Sequence, residues 1–200
     1  MQLWGFMLLF FLSWTFKVYV MPPVAGWVGI LLHAALWLAP VGAYVLLVER
    51  RPLSSLGLRP DGPRTFAVGL GIGGAFVAVN WGLRLLLKTE PIVWDLSLED
   101  WIGPICLFPV IEELMFRGLI LGRLVKTLPF FAANLLSAIL FGAIHIPGWI
   151  HANVALWPLI VSIVFVGFIC GLAFSWGRSV WAAVIVHAVN NFVSLTIFSL

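Results

Sequence analysis

The chain has 200 residues, 62% of them apolar and only 10% charged, with a mean hydropathy of +1.12. Soluble domains run at about 45–50% apolar and about 25% charged. A soluble core is therefore excluded, and lipid must solvate much of this surface. A formal net charge of +3 is too small to point to nucleic acid. The reading is an all-α, polytopic bundle in one integral-membrane domain, because only helices and closed barrels satisfy the backbone in lipid and these apolar runs are too long for barrel strands. A spanning helix needs about 20 apolar residues, and about seven spans are predicted, at 2–20, 24–48, 65–87, 101–121, 129–147, 155–176 and 179–199.

The first span opens with "MQLWGFMLLFF". It lacks a basic n-region and a small-residue cleavage site before Pro22, so it reads as a retained anchor. Lys17 lies within it and can snorkel to the interface. Span two carries an isolated His33, and span three carries Arg84 one turn from its end; both are taken as structural. The loop from Glu49 to Arg64 holds four arginines, whereas "KTEPIVWDLSLED", Lys88 to Asp100, is net acidic and is placed at an interface. Arg123, Lys126 and Arg178 mark two later loops, and His151, in the uncharged "PGWIHANVA", is taken as structural. Cytoplasmic loops carry an excess of Lys and Arg. That rule puts the loops with Arg50, Arg51, Arg59 and Arg64, with Arg123, and with Arg178 in the cytoplasm, with the N-terminus inside and the C-terminus outside. Cys106 and Cys170 have no metal or redox spacing and read as packing residues.

Three apolar spans carry polar groups whose burial costs at least a few kcal/mol, which makes each a functional hypothesis. In "FPVIEELMFRGLI", Glu113 and Arg117 are four apart and can pair. Glu112 points about 100° away and is left to face something else. In "FGAIH", Phe141 lies one turn before His145 on the same face. In "HAVNN", His187 and Asn191 share a face, and Asn190 points elsewhere. Each pair alone can be packing glue between helices. Brought to one cavity, the glutamate can take a proton from water, and His and Asn can hydrogen-bond a developing oxyanion. Two histidines and a carboxylate, Glu112, His145 and His187, can alternatively hold zinc; no cofactor is the favoured reading. No H-E-x-x-H and no G-x-S-x-G elbow occurs.

These motifs, E-E-x-x-x-R, F-x-x-x-H and H-x-x-x-N in that order in separate helices, resemble the CPBP family of intramembrane proteases, which includes the type II CAAX prenyl endopeptidases. The resemblance covers the core at about 101–200, and "SLGLRP", Ser55 to Pro60, looks like a further family feature. It implies a helical cavity near the cytoplasmic leaflet and hydrolysis of a peptide or membrane-protein substrate, prenylated in the endopeptidase branch. It also implies roles: Glu112 activates water with help from His145, His187 and Asn191 form the oxyanion site, and Glu113, Arg117 and Phe141 support them. The family also contains immunity proteins and membrane scaffolds, so a non-catalytic member is the alternative; a proton-relaying transporter is a third class. One tension stands. At 1.5 Å per residue, Glu112 lies about 14 Å from Leu121 and His187 about 12 Å from Ser179, but His145 about 24 Å from Pro129.

Overall fold

The computed structural model describes residues 2–87, 96–154 and 156–197. Most of the acidic segment placed at an interface, residues 88–95, lies outside these, as do residue 155 and the last residues of the span predicted at 179–199. Helices account for nearly all of the described chain. They are α1 (Gln2–Val20), α2 (Gly26–Val48), α3 (Gly62–Leu87), α4 (residues 98–124), α5 (Phe130–His151), α6 (Leu156–Gly177) and α7 (Val180–Ile197), with a short 3-10 turn at Leu53–Leu56. Five of them, α1, α2, α3, α5 and α6, are long and apolar enough to cross a membrane on length and composition. α7 has an apolar stretch just short of that length, and α4 is broken by changes of helical register. With these two, the count agrees with seven spans, and the chain is a multi-pass membrane protein. Leu9, Leu31, Leu70, Leu86 and Trp157 stand exposed on the bundle, as lipid-facing side chains do.

The first register change in α4 follows from its prolines. Ser97 caps the helix with a capping box to Asp100, and the chain then takes π-helical form over Trp101–Leu107, which contains Pro104. Proline lacks an N–H and clashes with the carbonyl four residues back. Here Phe108 N–H bonds Gly103 O, five residues back. The Pro104 carbonyl is thereby left without a backbone donor, because Pro109, its partner in the π register, has no N–H. A second π run, Leu114–Leu121, follows the α-helical turn Phe108–Glu113.

The bundle has two chemically different ends. At one, Arg123 Nη2 donates to Glu49 Oε2 at 2.6 Å and its Nη1 to Ser55 O at 3.1 Å. Gly57, in left-handed conformation at φ 76°, accepts the Val180 N–H at 3.0 Å and so anchors the start of α7. Trp181 Nε1 donates to Leu58 O at 2.8 Å, and Arg64 Nε to Trp176 O at 2.7 Å. This end gathers Arg50, Arg51, Arg59, Arg64, Arg123, Lys126 and Arg178. The opposite end joins α1 to α5, through Trp14 Nε1–H donating to Ile144 O at 3.1 Å and Tyr19 edge-on to His151. It carries Lys17, Glu99 and Asp100. α7 lies close against α3, where a Cβ on Gly69 would meet Ile185 at 3.0 Å; such small residues let membrane helices approach.

Candidate active site

Glu113 and Arg117 are wholly buried, one turn apart, at the start of the second π run. π-helical turns recur at functional sites. Arg117 Nη1 donates to Glu113 Oε1 at 2.6 Å, and Nη2 to the Gly167 carbonyl of α6, also at 2.6 Å. The guanidinium lies over the Phe141 ring, 4.8 Å from its centroid, a cation–π contact made in a dry setting. Phe141 also stands edge-on to both histidine rings, His145 at 5.0 Å and His187 at 5.5 Å.

The two imidazoles are fixed from behind. His187 Nδ1 is 2.8 Å from Glu113 Oε1, and a carboxylate accepts, so Nδ1–H donates and Nε2 points away. That Nε2 is 3.8 Å from Glu112 Oε2, a separation at which a water can mediate. His145 Nδ1–H donates to the Phe141 carbonyl at 2.8 Å, which leaves its Nε2 free as an acceptor. Asn191 Nδ2 donates to Pro104 O at 2.8 Å, the carbonyl orphaned by the two prolines. Its amide has a second N–H, and Asn190 donates to its Oδ1 at 3.3 Å. Asn190 and Asn191 thus touch although their Cβ atoms diverge.

Glu112, His145, His187 and Asn191 all line one cavity of about 320 Å³. Glu113, Arg117 and Phe141 form the buried layer behind it. The depth mismatch stays, because α5 starts at Phe130 and His145 still lies about 23 Å from that end at 1.5 Å per residue. His145 nonetheless lines the same cavity as Glu112 and His187, so α5 is offset lengthwise against α4 and α7. The cavity wall also includes groups that the motifs do not mark. His33 is stacked on Phe108 at 4.3 Å and on Trp37 at 5.6 Å, with Trp14 edge-on at 5.1 Å, and it lines the cavity with them. It is not the isolated histidine of the sequence reading. The one sequence signal was its spacing four residues before Trp37. Cys170 is buried as expected of a packing residue, whereas Cys106 is exposed on the bundle, so the packing reading applies to Cys170 alone.

A zinc site would bring Glu112, His145 and His187 to about 2.0–2.2 Å from one point. Among the described residues no three His, Cys, Asp or Glu side chains are gathered at such a point, while the Glu113 contact at His187 Nδ1 leaves Nε2 open, as a carboxylate behind a ligating histidine does. No step is derived through the ion.

No curated protein and no solved structure matches the chain. A family model described as type II CAAX prenyl endopeptidase Rce1-like matches residues 94–193. That stretch contains the two glutamates and Arg117, the Phe141–His145 pair and the His187–Asn191 pair, and it covers half of the chain. The family is one of proteases, which makes peptide hydrolysis the coarse functional assignment and a peptide the class of substrate. With this match, and with its helices long and apolar enough for a bilayer, the chain belongs to the Rce1-like family of type II CAAX prenyl endopeptidases.

Proposed function

We propose that the cavity hydrolyses a peptide bond of a peptide or membrane-protein substrate by means of a water activated by Glu112. One observation carries this reading: four polar side chains from three helices line a single cavity, and both histidines are held by their Nδ1 atoms so that Nε2 is left for chemistry. In the proposed step, water sits between Glu112 and His145 Nε2. Glu112 takes one proton as the water oxygen attacks the carbonyl carbon. The resulting oxyanion receives the second Asn191 N–H and the Nε2–H of His187 in its imidazolium form, flanked by Glu112 and Glu113. Glu112 then returns the proton to the leaving nitrogen as the C–N bond breaks. Bonds and protons balance, and no further reactant is required.

The test is cleavage of a fluorogenic peptide library by purified protein in detergent. Glu112→Gln keeps shape and removes the base, so turnover should vanish while the thermal transition stays. Removing one oxyanion donor costs about 10²–10³ in rate, so Asn191→Ala should lower kcat by roughly that factor with KM largely kept. Chelation should leave the rate unchanged. Cleavage by Glu112→Gln at the parent rate would end the reading, and activity lost on chelation and regained with zinc would turn the histidines into ligands.

A further inference from the structure

The family match begins at residue 94 and says nothing of α2, yet α2 places an imidazole in the cavity wall. His33 lines both the cavity and an adjoining cleft of about 290 Å³, and Phe108 is shared between the two spaces as well. The ring is held by stacking on Phe108 and on Trp37, the latter parallel to within 6°. Its Nε2 is sealed from solvent and has no hydrogen-bond partner among the described residues. Orphaned buried N–H groups are rarer than under-used acceptors, and a charged ring would also put an N–H there. The one proton of His33 is therefore assigned to Nδ1, the nitrogen of this half-buried ring that is not sealed. Past Glu112 along α4 the bundle is closed: Met115, Phe116, Leu119, Ile120, Leu121 and Leu124 are each at most 3% exposed. A chain that outgrows the cavity has the cleft beside His33 to run into.

We propose that His33 is a substrate-binding residue whose Nδ1–H donates to a main-chain carbonyl of the bound peptide, where the chain passes from the cavity into the cleft. The ligand is peptide backbone, and the proposal rests on the hydrolytic reading above. A peptide offers one carbonyl acceptor per residue. Pinning one of them beside the cavity fixes the register of the chain against Glu112, and such positioning is a large part of what a hydrolytic site supplies. Stacking alone gives no reason for an imidazole at this position. A phenylalanine would stack on the same two rings and leave no buried nitrogen without a partner. An unsatisfied buried polar atom calls for a role, and the open nitrogen at the other edge of the ring provides one.

His33→Phe separates the two roles, because it keeps the stack and removes both nitrogens. Parent and variant, purified in detergent, are given the best-cleaved peptide of the fluorogenic library. One neutral hydrogen bond corresponds to about a 3–10-fold change in binding, so His33→Phe should raise KM by that factor, with kcat largely kept and a melting temperature at or above the parent's. The peptide is then shortened one residue at a time from each end. The difference between parent and variant should vanish at a single step on one side of the scissile bond, where the bonded carbonyl is lost. Parent KM in His33→Phe, or a difference that persists at every length, overturns the subsite and leaves hydrolysis standing. A lower melting temperature with kcat and KM both worsened makes His33 a structural residue and overturns the subsite too. If the parent shows no Glu112-dependent cleavage of any peptide in the library, the hydrolytic reading has failed, and the subsite with it.

Discussion

Glu113 Oε1 accepts from both Arg117 and His187, so one oxygen joins a structural cation to a cavity imidazole. The first contact was legible, because residues four apart on a helix meet. The second joins positions 74 apart in sequence, and no periodicity could announce it. The same holds for Asn191. Its spacing from His187 was plain, but the carbonyl it bonds is orphaned only because Phe108 bonds Gly103 and Pro109 cannot donate. Breaking a buried ion pair by removing one partner costs about 3–5 kcal/mol. Glu113→Gln should therefore lower thermal stability by about that amount and also lower kcat, since His187 loses the charge that orients it. A variant with parent melting temperature and parent kcat would show that the shared oxygen matters to neither.

At the scale of elements, the spans were readable because lipid demands long apolar runs, and most boundaries moved by only a few residues. The interior of α4 was not read. Pro104 and Pro109 stand in the sequence for anyone to see, yet which register they impose depends on α7 being there to supply Asn191. Close approach is equally silent in sequence. Gly118 is pressed against the Leu56 backbone, whereas Gly71 on α3 faces open space. Overpacking a tight site costs typically about 1–3 kcal/mol. Gly118→Ala should lose stability on that scale and Gly71→Ala should not, as thermal unfolding in detergent would record. Equal melting temperatures for the two would mean that the turn simply moves aside.

For the molecule as a whole, the arginine end is tied together across its loops by Glu49 and Arg123. The hydrogen bond from Arg123 holds the Glu49 carboxyl below the usual carboxylate range. A lowered folded-state value adds stability that is present above the unfolded value and lost as pH falls through the folded one. The stability difference between parent and Glu49→Gln should thus be full at neutral pH and shrink in acid below the ordinary carboxylate range. A difference that stays constant over that interval would exclude the clamp as its source. The closed end has an electrical consequence too. If water fills the cavity lined by Glu112, it carries the potential of its own side deep into the bilayer. The transmembrane voltage then falls across the sealed residues 115–121, roughly 10 Å of helix at 1.5 Å per residue. A charge crossing that layer would feel about 2.3 kcal/mol per 100 mV, but no wet path leads through it. The protein should be an insulator: planar bilayers containing it should pass no added current under an applied voltage or a proton gradient, and a steady conductance would show that the seal leaks.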